Sequence, residues 1–333
     1  MTDRPVPFLI ADHEVRPGSR TMLELPIARL MSGTPVALPV IVLHGTEPGP
    51  TMWLSACIHG DEICGVEIIR RVLDQVDTIS LAGTVIAVPV VNVHGFNTGD
   101  RYLPDRRDLN RSFPGSPRGS LASRVAHLMM TEVVGRCSLG IDLHTGSDQR
   151  TNLPQSRGDL DDPEVRRLAA AFGAPVTLHS RTRDGSLREA ATEAGATVLL
   201  FEGGEAGRFD EPSIEAGTAG VMRVLAETGM FDSGAEPAAP TRWSRSSRWM
   251  RASNSGVLSL EAALGDDVVN GDELGVIHDP FGKRLGAVTS RSTGVVVGHT
   301  QGALVNRGDA VVHVASIDET SPDDDAAPVA DGD

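Results

Sequence analysis

Short apolar runs of strand length alternate with segments of helical period across the first two-thirds of the chain, and few folds accommodate that pattern. The runs are 51–58 (TMWLSACI), 84–92 (TVIAVPVVN), 138–143 (SLGIDL) and 197–202 (TVLLFE). Near-continuous apolar character is expected of strands covered on both faces, as in a largely parallel sheet. Between the first two, Ile63, Val66, Ile69, Leu73 and Val76 recur at helical spacing, and 120–135 and 211–229 carry similar patterns. Strands alternating with helices imply an α/β layer architecture. With 333 residues, 40% of them hydrophobic and 23% charged, the chain can bury a substantial core and is the length of about two domains.

The pattern breaks at 232–241 (DSGAEPAAPT), which reads as a linker. Beyond it, 256–316 holds short β-type runs separated by the turn signals Gly265-Asp266, Asn270-Gly271-Asp272 and Gly308-Asp309. The expected organisation is a catalytic domain over 1–235, a small all-β domain over 242–316, and an acidic disordered tail over 317–333. No internal repeat occurs.

The formal charge of −15 argues against a nucleic-acid partner, which calls for a cationic surface. Lys283 is the only lysine among 30 basic residues; codon bias in a GC-rich genome suffices to explain that. No apolar run approaches the roughly 20 residues that span a bilayer. Residues 1–5 (MTDRP) lack a secretory pattern. Cys57, Cys64 and Cys137 are too few for a disulfide framework. These features predict a soluble, cytoplasmic protein that engages neither nucleic acid nor membrane; a homo-oligomer is compatible with them.

Chemistry concentrates where the first buried run ends, at His59-Gly60-Asp61-Glu62. An imidazole and a carboxylate three residues apart at a strand-to-helix turn can aim at one point, and Gly60 permits a tight backbone path. A catalytic zinc site takes three N/O ligands and leaves a position for water. His144, in Asp142-Leu143-His144-Thr145-Gly146, stands at another strand end and supplies the third. Open α/β sheets bind ligands at such ends. His94, His127, His179, His278, His299 and His313 have no comparable company and read as structural, and Cys57 and Cys64 read as packing residues.

Two further segments complete the pattern. Arg101-Tyr102 and Asp108-Leu109-Asn110-Arg111-Ser112-Phe113-Pro114-Gly115 form a polar loop whose arginine forks suit a carboxylate or an oxyanion beside a metal. Glu202 ends the last apolar run, where a desolvated carboxylate near a metal-activated water suits general-base work. Glu205 competes for that role, and a helix N-terminal position would also favour acidic residues here.

As an ordered set these motifs resemble the succinylglutamate desuccinylase/aspartoacylase family, relatives of the zinc carboxypeptidases. The resemblance covers about residues 50–230, and the following β region is similar to that of bacterial members. It implies a carboxypeptidase-like mixed, mostly parallel sheet flanked by helices, with the small β domain appended. It implies one zinc ion on His59, Glu62 and His144, Glu202 as catalytic base, and Arg101 polarising the scissile carbonyl. Asn110 and Arg111 would hold the substrate carboxylate, and Asp108 would orient His59. The implied reaction is hydrolysis of an acetyl or succinyl group from a small N-acyl amino acid or related small amide, with a carboxyl ester as the alternative bond. One departure concerns substrate: aspartoacylase uses a tyrosine from its C-terminal domain, whereas the only tyrosine here is Tyr102. Two alternatives stand beside this reading. One is a zinc carboxypeptidase acting on peptides. The other is a carrier module, for which Lys283 is the only attachment lysine.

Overall fold

The computed structural model describes residues 6–147, 149–232 and 234–318. The tail expected from 317 onward therefore lies, from 319, outside the described residues.

Four parallel strands form the middle of the main sheet, adjacent in the order Thr197–Glu205, Leu139–Gly146, Glu47–Ala56, Ala82–Val88. They overlap the four apolar runs, although 57–58 and 89–92 fall past the strand ends, and Leu139–Gly146 is buried along its whole length. Side chains alternate between two cores, as the period of two requires. Met52, Leu54 and Ala56 face one core and Trp53 the other; Val85 and Ala87 oppose Ile86 and Val88 in the same way. Helices Cys64–Gln75, Pro163–Phe172 and Glu211–Glu227 cover the first face through Ile68, Ile69, Phe172, Val221 and Leu225. Helices Leu121–Leu128 and Leu187–Glu193 cover the second through Val125, Ala126, Leu187 and Ala191. Asp162, Ser186 and Asp210 cap helix N-termini by accepting from backbone N–H groups of the first turn.

The helical segment predicted over 120–135 is less regular than its periodicity suggests. After Leu128 it widens into a π-type turn over Met129–Val133 and ends in a short 3₁₀ turn at Arg136.

Antiparallel strands extend the sheet on both margins, so it is mixed with a parallel centre. On one side lie Pro35–His44 and Ser19–Arg29. On the other, Thr197–Glu205 pairs with Arg150–Gly158, which pairs in turn with Gly294–Thr300. Ala310–Ser316 and Ser246–Arg251 follow. The C-terminal β region thus joins the main sheet by hydrogen bonds, Gly298 standing opposite Asn152 and His299 opposite Thr151. Arg242–Ser244 and Asp267–Val268 also pair into the main sheet, and the other four strands of the region form a separate antiparallel sheet. Among the described residues, no helix is long and apolar enough to cross a membrane.

Register sets the functional end of the sheet. Glu202 pairs with His144, and Ala56 with Leu143, so three parallel strands finish at one level. The turn after Ala56 is packed onto the helix Val93–Thr98. A Cβ on Gly60 would stand 2.1 Å from the carbonyl carbon of Gly95, so close approach rather than an unusual φ demands glycine there. Gly60→Ala must displace backbone, and we expect a loss of about 1–3 kcal/mol, measured by urea unfolding; a wild-type midpoint would contradict this packing.

Candidate metal centre and active-site cavity

Cys57, the first residue past the strand, has φ +52, a conformation uncommon for a residue with a side chain. Its thiol donates to the Glu62 carbonyl at 3.2 Å, and the Glu62 N–H donates to the His59 carbonyl at 3.1 Å. Cys57 therefore braces the turn as well as filling space.

The folded-back turn sets His59 Nδ1 2.7 Å from Glu62 Oε1. From the neighbouring strand, His144 Nδ1 stands 2.7 Å from Glu62 Oε2. The three donor groups lie within 4.8 Å of one another, and all three residues are buried. Each imidazole is held from behind by a carboxylate. His59 Nε2 lies 3.2 Å from Asp108 Oδ1, and His144 Nε2 lies 2.8 Å from Asp142 Oδ2. Ser55 fixes Asp142 in turn, donating to Oδ1 at 2.8 Å. Burial opposes charge on Glu62, yet His59 and His144 hold its carboxyl well below the usual range. Burial likewise opposes charge on His144, but Asp142 and Glu62 raise its pKa well above the ordinary imidazole value.

This donor set fits a divalent cation. Two imidazole nitrogens and a carboxylate face one point, and hydrogen bonds on the far nitrogens fix both ring orientations, as metal-binding histidines require. A cation there would replace the protons these groups share.

The cluster lines a cavity of about 420 Å³ whose walls also include Arg101, Asn110, Arg111 and Glu202. Arg101 donates to Glu62 Oε1 at 3.1 Å and to Asp108 Oδ2 at 3.3 Å. The Asn110 amide oxygen accepts from Leu187 N at 2.9 Å, and Arg111 donates to the Asn110 carbonyl. Glu202 is held by Asn152 Nδ2 at 2.6 Å and by Arg157 at 3.1 Å. Glu205 pairs with Arg208 at 2.9 Å and is not a lining residue. His59, Glu62, Arg101, Asn110, Arg111, His144 and Glu202 thus line one cavity, with Asp108 behind His59.

The cavity has further lining residues to which the sequence reading gave no functional role. Asp142 was visible, two residues before His144 on the same strand face. Asn152, Arg157 and Arg188 come from segments with no motif. His179 and His313, read as structural, both border the cavity, and His313 comes from the C-terminal β region with Ser247 and Trp249. The His313 imidazole stacks on the Trp249 indole, centroids 4.7 Å apart and planes 8° from parallel. The Arg150 guanidinium carbon also lies 4.9 Å from that indole's centroid.

A mixed α/β sheet with an imidazole–carboxylate–imidazole cluster at its parallel strand ends defines a hydrolase of the aspartoacylase architecture. The family model of the succinylglutamate desuccinylase/aspartoacylase catalytic domain matches residues 48–228, and the chain belongs to that family. It is 29% identical to an N-alpha-acetyl-L-2,4-diaminobutyric acid deacetylase from Halomonas elongata, over 95% of this chain and 97% of the relative. It is 31% identical to a succinylglutamate desuccinylase from Pseudomonas putida, over 52% of this chain and 55% of that protein. Among solved structures, a succinylglutamate desuccinylase/aspartoacylase from Rhodobacter sphaeroides superposes with a TM-score of 0.79 at 28% identity, covering 90% of this chain and 96% of that one. The ectoine utilization protein EutE from Ruegeria pomeroyi shares the fold, with a TM-score of 0.80 at 24% identity and coverage of 89% and 95%.

Burial, reinforced by Arg157 and Arg150, pushes the His313 pKa down to about 3. The unfolded chain takes up this proton near pH 6.5, so as pH is lowered through that value protonation favours unfolding and stability is lost. The stability difference between wild type and His313→Phe should therefore move in the variant's favour by about 1–2 kcal/mol between about pH 7.5 and pH 5. Urea titrations at both pH values measure it; a pH-independent difference would refute the neutral, buried state of His313.

Proposed function

We propose that this protein is a zinc-dependent deacylase that hydrolyses the amide between a small acyl group, acetyl or succinyl, and an amino acid. The observation that carries this reading is the convergence of His59, Glu62 and His144 beside Glu202 in one cavity. The relatives named as deacetylase and desuccinylase support it.

His59, Glu62 and His144 would hold the ion, with Asp108 and Asp142 keeping the rings in register. A zinc ion held there would supply the Lewis acidity that lowers the pKa of water toward 7. Glu202 accepts the proton of the attacking water and passes it to the departing amine nitrogen. Asn152 and Arg157 both hold Glu202 Oε2, orienting the carboxylate for that transfer. Arg101, between Glu62 and Asp108, stabilises negative charge developing on the acyl oxygen. Arg111, with Asn110 docked on the Leu187 amide, grips the α-carboxylate of the amino acid.

A carboxypeptidase acting on peptides would share this machinery, but the C-terminal strands wall the cavity with Ser247, Trp249 and His313, which suits a small substrate. The match of residues 48–228 to a deacylase catalytic domain favours a hydrolase over a carrier role for Lys283.

Zinc-loaded wild type should release acyl groups from N-acetyl or N-succinyl amino acids. Glu202→Gln should keep stoichiometric metal while losing turnover by about 10²–10⁴-fold. Wild-type rates in that variant would remove Glu202 from the role of base. Chelation should abolish activity and added zinc restore it; activity that survives demonstrated metal depletion would sink the zinc assignment.

A further inference from the structure

The Glu202 carboxylate is held from outside the strand that carries it. Glu202 stands opposite Gln155 in the neighbouring strand Arg150–Gly158, and Gly204 stands opposite Asn152. Two residues on one strand are thus matched by three on the other, so Arg150–Gly158 contains one extra residue here. Residues five apart face opposite sides of a regular strand; the extra residue turns Asn152 to the side of Arg157. Asn152 is 5% exposed, and its Nδ2 donates to Glu202 Oε2 at 2.6 Å. Arg157 reaches the same oxygen at 3.1 Å, which leaves Oε1 for the proton.

Both holding groups are set in turn by a third strand, Gly294–Thr300, from the C-terminal β region. Gly298 lies opposite Asn152, and a Cβ on it would stand 2.7 Å from Asn152 Oδ1. The Asn152 amide therefore spans from Gly298 to Glu202, in a place that a side chain at 298 would take. Gln155, fully buried, makes a second link. Its Nε2 donates to the Val297 carbonyl at 2.9 Å, and its Oε1 accepts from Arg157 Nη2 at 3.4 Å. Two adjacent residues, Val297 and Gly298, thus control the two groups that hold Glu202. Both lie beyond residues 48–228, which match the catalytic domain.

We propose that the C-terminal β region positions the catalytic base: Gly298 acts through Asn152, and the Val297 carbonyl acts through Gln155 and Arg157, to fix the Glu202 carboxylate. This rests on the deacylase reading, in which Glu202 moves the proton. Gly298, Asn152 and Gln155 are positioning residues and need not touch substrate. A proton-transferring carboxylate with one oxygen pinned by two donors is already oriented when substrate arrives, and a small displacement of such a group costs rate rather than binding. The C-terminal strands therefore serve turnover as well as walling the cavity.

Zinc-loaded wild type, Gly298→Ala, Asn152→Ala and the double variant can be compared in hydrolysis of N-acetyl and N-succinyl amino acids. The atom that a methyl at 298 displaces is the free end of a side chain, so Gly298→Ala should unfold near the wild-type midpoint. Each single variant should lower kcat by about 10–100-fold, with KM and bound zinc within about twofold of wild type. In the Asn152→Ala background, adding Gly298→Ala should cost less than about twofold, since no amide remains to be displaced. A second readout needs no turnover. The Asn152 side-chain amide resonance in isotope-labelled protein, assigned by its loss in Asn152→Ala, should move in Gly298→Ala toward its position in Glu202→Ala. Wild-type kcat in Gly298→Ala, a loss that falls on KM or zinc instead, additive losses in the double variant, or an unmoved resonance would overturn the proposal. Failure of wild type to hydrolyse any of these substrates would instead overturn the deacylase reading, and the resonance would still decide whether Gly298 sets the Asn152–Glu202 contact.

Discussion

Two imidazoles and one carboxylate, on three buried residues, meet at one point of the cavity wall. Glu62 is 2% exposed, and its two oxygens each face an Nδ1 at 2.7 Å. An uncompensated charge in that position would cost several kcal/mol. Much of the surrounding architecture exists to satisfy the three groups. Asp108 and Asp142 take the outer nitrogens, Ser55 steadies Asp142, and Arg101 bridges Glu62 to Asp108. His59 and Glu62 come from one turn and His144 from the next strand, so parallel register is what brings them together. A one-residue slip would send His144 to the opposite face.

The C-terminal strands extend this logic. Because Gly294–Thr300 adds to the edge of Arg150–Gly158, the region after the linker is bonded into the sheet that carries the site. Val295, Val297 and Ala315 pack with Val176 and Leu178 in a shared core. Trp249 and His313 are placed on the cavity wall with the precision of a β-ladder rather than that of a loop. Binding groups on strands need less ordering when substrate arrives, which favours discrimination between similar small molecules.

How much of this could be read from the residues follows from what local patterns encode. The four central strands showed because both faces are buried, and His59, Glu62 and His144 showed because each stands at the end of such a run. Glu202 was visible for the same reason, although only the structure separates it from Glu205, which pairs with Arg208. Gly60 was flagged for a tight path, but its necessity comes from the distant Gly95 backbone. Asn152 and Arg157 acquire their meaning only through pairing with the strand of Glu202. His313 looked ordinary because the indole beneath it lies 64 positions earlier. Non-local pairing of this kind leaves no local signature.

Zinc-edge X-ray absorption on stoichiometrically loaded protein tests the metal centre most directly. The expected spectrum shows two imidazole nitrogens and carboxylate oxygen with at least one further oxygen, and loses one imidazole in His144→Ala. Sulfur scattering from Cys57 or Cys64, or a spectrum unchanged in that variant, would contradict the assignment of His59, Glu62 and His144 as the site of the ion.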